Sequence, residues 1–437
     1  MQVKVVKFGG SSLADAEHFR QVASIIKADP ARRYVVPSAP GKRFKEDTKV
    51  TDMLYACYEK IRNHENIDEL YDQIKARYNG IIAYLGLDFD IIGELEYVKN
   101  AMMHRSGRDF AASRGEYLNG LILSKYLGYS FIDAENVIFF RDNGTFDEEK
   151  TNRVLAEELM QYKNAVIPGF YGVMPNGTIK TFSRGGSDIT GSIVARAAQA
   201  DLYENWTDVS GFMMGDPRVL DNPCPIETIT YRELRELSYM GATVLHEDAI
   251  FPVRYAGIPI NIRNTNHPGE PGTMIQQSRR VVPGTVVGIA SADGFCNIVV
   301  EKYLMNRELG FGRRLLQILE EEGVSYEHMP SGVDSQCIVI KEQYLSKDIE
   351  RRVVQTIKRE LQPDFVTVER DFTMLMIVGE GMCYTPGMLA KACLALASAG
   401  ISMSMVNQGS SEVSFMIAIR SKDRDSAVQA LYKAFFS

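Results

Sequence analysis

Apolar positions along this chain switch between two periods. Val3 to Phe8 is an apolar run of strand length, and Asp15 to Lys27 sets Phe19, Val22, Ile25 and Ile26 at the spacing of one helix face. Between them stands Gly9-Gly10-Ser11-Ser12. Strand, glycine loop and helix in that order present backbone N–H groups to an anion, with Lys7 at the mouth of the loop or simply solvated at a strand end. Arg33 to Ser38 repeats the strand signature, crosses the polar stretch Ala39 to Lys49 and enters a helix from Thr51, with Thr51 or Asp52 as N-cap. Asn66 to Lys125 is helical in period, with Leu70, Ile74, Ile81, Ile82, Leu85, Leu95 and Val98 as core positions. Within it Arg114-Gly115-Glu116 precedes the apolar run Tyr117 to Leu127. Glu116 there either caps a helix or meets an ammonium group.

Tyr129 to Asp133 and Asn164 to Pro168 are short strands separated by the helical pattern Phe146 to Tyr162. Strands alternating with helices predict a mostly parallel sheet covered on both faces. Phe170 to Phe182 interrupts the rhythm, because Pro175-Asn176-Gly177 between two apolar runs predicts a hairpin. That hairpin delivers the chain to Lys180–Ser192, KTFSRGGSDITGS, ahead of the helical run Ile189 to Ala200. Arginine, paired glycines and a helix N-terminus suit a small carboxylate next to phosphate. The same letters also describe a glycine turn capped by Ser187 or Asp188. Asp201 to Trp206 then reads as a strand, followed by the polar loops Thr207–Gly211 and Gly215–Arg218. Such loops, at the C-terminal ends of strands, are where open α/β sheets bind ligands, which predicts a nucleotide there.

Composition narrows the function. The 437 residues carry a net charge of −7, are 45% hydrophobic and 24% charged, and exceed one typical core, so two or three domains are expected. The negative balance argues against nucleic acid as partner. Six cysteines without zinc spacing and six histidines without an H-E-x-x-H pair predict free thiols in a reducing cytoplasm and no metal ligand set. No apolar stretch approaches membrane-spanning length, and no charged region leads into an apolar export signal, so neither a membrane nor export is expected.

Eight ordered segments carry a resemblance: KFGGSS at 7–12, VTD at 50–52, RGE at 114–116, GFYG at 169–172, RGGSD at 184–188, WTDVSG at 206–211, GDPR at 215–218 and GATVLH at 241–246. Together they resemble aspartate kinase. The resemblance implies an αβα sandwich of the amino acid kinase fold over residues 1–283 and phosphorylation of the L-aspartate β-carboxylate by ATP with Mg2+. That reaction gives 4-phospho-L-aspartate and opens lysine, threonine and methionine biosynthesis. It implies that Lys7 stabilises the transferring phosphoryl group, with Gly9, Gly10 and Ser11 beside it. Thr51, Glu116 and Arg184 would hold aspartate, Glu116 taking the ammonium and Arg184 the α-carboxylate, with Phe170 and Ser187 adjacent. Asp188 would orient Lys7 and the phosphates. Thr207, Asp208, Asp216 and Arg218 would surround the nucleotide. Two letters depart from the family: Thr243 replaces a lysine that normally contacts nucleotide, and Ser183 replaces a glycine. The alternatives are another amino acid kinase, for glutamate or acetylglutamate, and a catalytically weak lysine sensor.

Beyond the turn-rich segment at 266–284 lies an internal repeat. Gly310, Gly323 and Gly332 recur as Gly387, Gly400 and Gly409 at a constant offset of 77 (387 − 310, 400 − 323, 409 − 332). Helix, glycine stop and two strands form one unit used twice. The repeat resembles a pair of ferredoxin-like βαββαβ ACT domains over 284–437, the first about 291–370 and the second about 371–437 with a strand near 285–290. The resemblance implies a lysine effector site at Met305, Glu308 and Phe311, at Ser325, Tyr326 and Glu327, and at Ser331, Gly332, Val333 and Asp334. Glu308, Glu327 and Asp334 suit a cationic effector unless they are merely solvated surface acids. It further implies a homodimer through the ACT modules, with a dimer of dimers as an option.

Overall fold

The computed structural model describes residues 2–104, 107–183, 185–241, 245 and 249–437. In chain order the N-terminal part contains β1 (Lys4–Phe8), α1 (Ala16–Lys27), β2 (Arg32–Pro37), α2 (Val50–Arg62), α3 (Asp68–Leu85), α4 (Ile92–Met103) and α5 (Arg108–Leu127). There follow β3 (Ser130–Phe131), α6 (Ala134–Val137), α7 (Glu148–Leu159), β4 (Ala165–Val166), β5 (Tyr171–Val173), β6 (Ile179–Thr181), α8 (Gly186–Ala197) and β7 (Leu202–Thr207). Then come β8 (Thr228–Thr230), α9 (Tyr231–Tyr239), α10 (Phe251–Ala256), β9 (Ile260–Asn264) and β10 (Thr273–Gln276). Most strands and helices lie within a few residues of where the hydrophobic period places them.

The chain divides into two compact units, the first comprising residues 1–212, 225–234 and 243–279. Among its described residues eight strands form one sheet in the order β3-β4-β2-β1-β7-β9-β10-β8, parallel except for the β9–β10 pair. β1 runs through the middle, which is why Val5, Val6 and Phe8 are all fully buried. On one face Val6, Phe8 and Trp206 join a core with Phe19 and Val22 of α1, Leu54 of α2, Tyr71 and Tyr78 of α3 and Leu118 and Ile122 of α5. Each such side chain contributes about 1.5–3 kcal/mol of burial. The opposite face of β1, β2 and β7 is packed by α8. The expected hairpin is β5–β6, antiparallel, pairing Tyr171 with Thr181.

The second unit comprises residues 213–224, 235–242 and 280–437. Its strands are β11 (Gly288–Glu301), β12 (Ser335–Lys341), β13 (Phe365–Val378), β14 (Met405–Gln408) and β15 (Ser414–Arg420), forming an antiparallel sheet in the order β12-β11-β13-β15-β14. Helices α11 (Phe311–Glu321), α12 (Lys347–Leu361), α13 (Met388–Ser398) and α14 (Arg424–Phe436) make two separate cores with it, one around Leu315, Ile338 and Ile357, the other around Leu396, Ile417 and Leu431. The repeat is exact at the helix: α13 starts and ends 77 residues after α11 (388 − 311, 398 − 321). Gly310 and Gly387 enter these helices at φ +78° and +88°, and Gly323 and Gly400 leave them at +68° and +72°, all left-handed conformations that glycine adopts without strain. β11 and β13 are long enough to serve both repeats: Gly288–Ala292 pairs with Met374–Val378, and Asn297–Glu301 with Phe365–Glu369. Among the described residues no helix is long and apolar enough to cross a membrane.

Candidate active site

β1 and β7 run in register, so Lys7 lies opposite Asn205 and Val5 opposite Tyr203. Alternate residues of a strand share a face, which turns all four side chains towards α8. α8 begins at Gly186, earlier than the apolar run Ile189 suggests, with Gly185 as N-cap at φ +75°. Its first turn therefore contains Ser187 and Asp188, and the reading of either as the cap is corrected. The Lys7 Nζ is 2.6 Å from Asp188 Oδ1, with Lys7 itself buried. The tight entry into α8 explains the small residues: a Cβ on Gly186 would stand 2.4 Å from the Phe170 ring, and one on Gly169 2.7 Å from Ser187 Cβ. Phe170 sits at φ +83°, a costly conformation for an aromatic residue.

Thr51 lies in the first turn of α2, whose N-cap is Lys49 rather than Thr51 or Asp52. The loop before it is tied down by Arg77 of α3, which donates to the Gly41 and Ala14 carbonyls and, at 2.8 Å, to Asp47 Oδ2. Arg43 and Arg77 hold the Asp47 carboxyl well below the usual carboxylate range. The Gly41 amide in turn donates to the Gly10 carbonyl at 2.8 Å, and a Cβ on Gly41 would meet Gly10 at 2.5 Å, so the two loops interlock.

Glu116 is placed inside α5, two turns past its start, so the helix-cap reading is also corrected. It is 5% exposed, its Oε2 lacks a hydrogen-bond partner among the described residues, and burial pushes its carboxyl up to about 8 against the opposing pull of the Ala39 amide, Arg114 and Lys7. A buried, unsatisfied acid facing a cavity is costly unless a cation completes it.

Lys7, Thr51, Glu116, Phe170, Ser187 and Asp188 all line one cleft of about 1300 Å³. Sequence reasoning missed several other lining residues. Tyr55 follows Thr51 by one helical turn, a spacing that signals the shared face, and the Arg108 guanidinium lies 4.2 Å from its ring centre. Phe140, Phe146 and Phe182 wall the cleft as a mutually packed trio with no signal in the sequence.

At the C-terminal ends of β1, β7 and β9 the polar loops converge. The Gly9 amide donates to the Trp206 carbonyl at 3.0 Å, the Ser12 and Thr265 hydroxyls are 2.7 Å apart, and Thr207 donates to Asp208 at 3.1 Å. Ser11 opens a 3-10 turn, and a Cβ on Gly10 would stand 2.8 Å from the Ala39 carbonyl oxygen. Asp216 and Arg218 belong to the second unit, where they form a bidentate pair with each other at 2.8–2.9 Å. Arg184 and Thr243 lie outside the described residues.

In the second unit Met305 and Phe311 are buried. Glu308 pairs with Lys302 at 2.6 Å and with Arg314, and Glu327 pairs with Lys341 at 3.4 Å and accepts from the Tyr239 hydroxyl. These two are therefore ion-paired rather than merely solvated acids. Asp334 Oδ1 is buried without a hydrogen-bond partner among the described residues, Ser325 and Tyr326 are exposed just before Glu327, and Ser331, Gly332 and Val333 are exposed in the turn ahead of β12. No disulfide joins any of the six cysteines, and no cluster of metal-ligating side chains occurs among the described residues.

The amino acid kinase family profile matches residues 2–264, and an ACT domain profile matches residues 375–435. The chain is 43% identical to Aspartokinase 3 of Bacillus subtilis, over 100% of this chain and 99% of that protein. It is 48% identical to the crystal structure of Clostridium acetobutylicum aspartate kinase, described as an allosteric enzyme, with a TM-score of 0.93 and full coverage of both chains. Aspartokinase III of Escherichia coli, at 22–23% identity, shares the fold over the full length of both chains. Its TM-score is 0.76 in a complex with aspartate and ADP and 0.79 in a complex with lysine and aspartate.

Proposed function

Because the chain belongs to the amino acid kinase family, as an aspartate kinase with C-terminal ACT domains, we propose that it transfers the γ-phosphoryl group of ATP to the β-carboxylate of L-aspartate, giving 4-phospho-L-aspartate and ADP, under inhibition by L-lysine. The observation that carries this reading is the Lys7–Asp188 pair at the wall of a cleft that also holds the buried Glu116. The substrate carboxylate is already an anionic nucleophile, so no strong base is required. The protein's task is to align two mutually repelling anions and to place positive charge between them.

In this reading the Lys7 ammonium, held by Asp188, faces the transferring phosphoryl oxygens. The aspartate ammonium completes Glu116, Arg184 takes the α-carboxylate, and Thr51, Phe170 and Ser187 shape the acceptor site. The amides of Gly9, Gly10 and Asp208 and the hydroxyls of Ser11 and Thr207 meet the nucleotide. Mg2+ would arrive with ATP and neutralise phosphate charge, ligated mainly by phosphate and water oxygens, which suits a chain whose described residues offer no all-protein cage.

Lysine would act on the ACT unit by competing for Glu308, Glu327 and Asp334, and it inhibits only by binding one conformer more tightly than the other. Pairing of ACT sheets between two copies would make that response a property of a homodimer. The product is tested by running the reaction in hydroxylamine, which converts an acyl phosphate to a hydroxamate. Aspartyl β-hydroxamate, formed only with ATP and L-aspartate together and suppressed by L-lysine, is expected. ADP without hydroxamate would remove the acyl-phosphate product.

A further inference from the structure

Asn205 is a polar amide in the interior of a buried strand, a position that disfavours asparagine and penalises an amide left without partners. Its Nδ2 donates to Asp188 Oδ1 at 2.8 Å, the same oxygen that meets Lys7 Nζ at 2.6 Å. One strand position earlier on the same face, the Tyr203 hydroxyl donates to the Asp188 main-chain carbonyl at 3.1 Å. Burial keeps that phenol protonated. The Tyr203 ring reaches under α8 because Gly191 leaves room for it: a Cβ there would stand 2.4 Å from the Tyr203 oxygen. Asp188 is thus gripped twice from β7, once at its backbone and once at its carboxylate.

A lysine–aspartate contact alone leaves the carboxylate free to turn about its side-chain bonds, and the ammonium on its flexible stem turns with it. Two donors on one oxygen remove that freedom. Because β1 and β7 are in register at Lys7 and Asn205, the amide and the ammonium reach Asp188 from adjacent strands of a rigid sheet. We propose that Asn205, backed by Tyr203, is a positioning residue for phosphoryl transfer, locking the Asp188 carboxylate so that the Lys7 ammonium is presented at one fixed point in the cleft. This rests on the reading of Lys7 and Asp188 given above. Asn205 touches no substrate in this account. It acts on the rate of the chemical step through Asp188, not on ground-state binding.

The test is steady-state kinetics of Asn205→Leu, Asp188→Asn and the double variant, with melting temperatures followed in parallel. Asn205→Val, a better strand former, replaces the leucine variant should that one fail to fold. Asn205→Leu should lower kcat about tenfold to a hundredfold, the cost of a slightly misplaced group, with KM for L-aspartate and for ATP within about twofold of the parent. In the Asp188→Asn background the same change should have no further effect, because the carboxylate it positions is gone. Slow turnover by Asp188→Asn with normal turnover by Asn205→Leu, multiplicative losses in the double variant, or a rise in KM at unchanged kcat would each overturn the role of Asn205 alone. Normal turnover by Asp188→Asn would remove the catalytic reading and this inference with it.

Discussion

Lys7 and Asp188, one at the C-terminal end of β1 and the other in the first turn of α8, meet at 2.6 Å on the wall of the cleft. Neither residue is placed there by its own helix or strand alone. The contact exists because β1 is central in the sheet and α8 packs across it. Replacing Lys7 by alanine removes the cation opposite the transferring phosphoryl group. It should lower kcat by about two to three orders of magnitude. Asp188 keeps the Asn205 hydrogen bond, so the melting temperature should fall by only a few degrees, about the effect of 1–2 kcal/mol in a domain this size. Initial rates and a thermal melt check both; near-parental turnover would take the phosphoryl-facing role from Lys7.

Glu116 makes acceptor binding depend on pH. Its buried carboxyl ionises only at about 8, and an ammonium ligand requires the ionised form. Affinity for L-aspartate should therefore rise with pH and level off above about 8, approaching tenfold per pH unit at the acid end. The sign for stability is opposite. The folded pKa lies above the ordinary 4.5, so this group's contribution is largest below that value and is lost as pH rises through about 8 in the ligand-free protein. Stabilisation of the melt by aspartate should grow over the same window. Glu116→Gln should flatten both profiles and weaken aspartate binding, and an unchanged pH profile in that variant would place the ammonium elsewhere.

Arg184→Lys keeps the charge but loses the planar fork. It should raise KM for aspartate by about tenfold or more with a smaller change in kcat. An unaltered aspartate dependence would mean that the α-carboxylate is held by another group, Lys49, Arg108 and Lys180 being cations among the described residues that line the cleft beside Lys7.

Glu327 is already engaged by Lys341 and by the Tyr239 hydroxyl, so an incoming lysine competes with a cation the chain itself supplies. Glu327→Ala should relieve lysine inhibition while leaving uninhibited turnover within about twofold. Lys341→Met should shift the inhibition curve to several-fold lower lysine by removing the internal competitor. Both follow from lysine titrations of activity, and retained sensitivity in Glu327→Ala would move the effector away from this turn.

Most of the architecture was legible because it follows from local period. β1, α1, the β5–β6 hairpin and the helix repeated at an offset of 77 are all written in apolar spacing and glycine placement. Where the reading slipped, burial had broken the pattern. α5 is enclosed on nearly all sides, and Arg114 lies among the rings of Phe110, Tyr117 and Tyr171, so a polar triplet that looks like a helix start falls well inside the helix. β11 is masked as one strand by an irregularity in pairing near Asp293 and Gly294, where Gly294 takes φ +82°. In the site, residues within a motif were visible as letters. Asn205, Arg77 and the Phe140–Phe146–Phe182 wall work through contacts between distant segments, which spacing does not encode.

The central claim is that the cleft around Lys7 joins ATP to L-aspartate. Its most direct test is the initial rate of ADP formation from ATP and Mg2+ as L-aspartate is titrated, for the parent chain and for Lys7→Ala side by side. A saturable, aspartate-dependent rate in the parent and its near-complete loss in the variant is the predicted result. An ADP rate indifferent to L-aspartate, or equal in the two proteins, would contradict it.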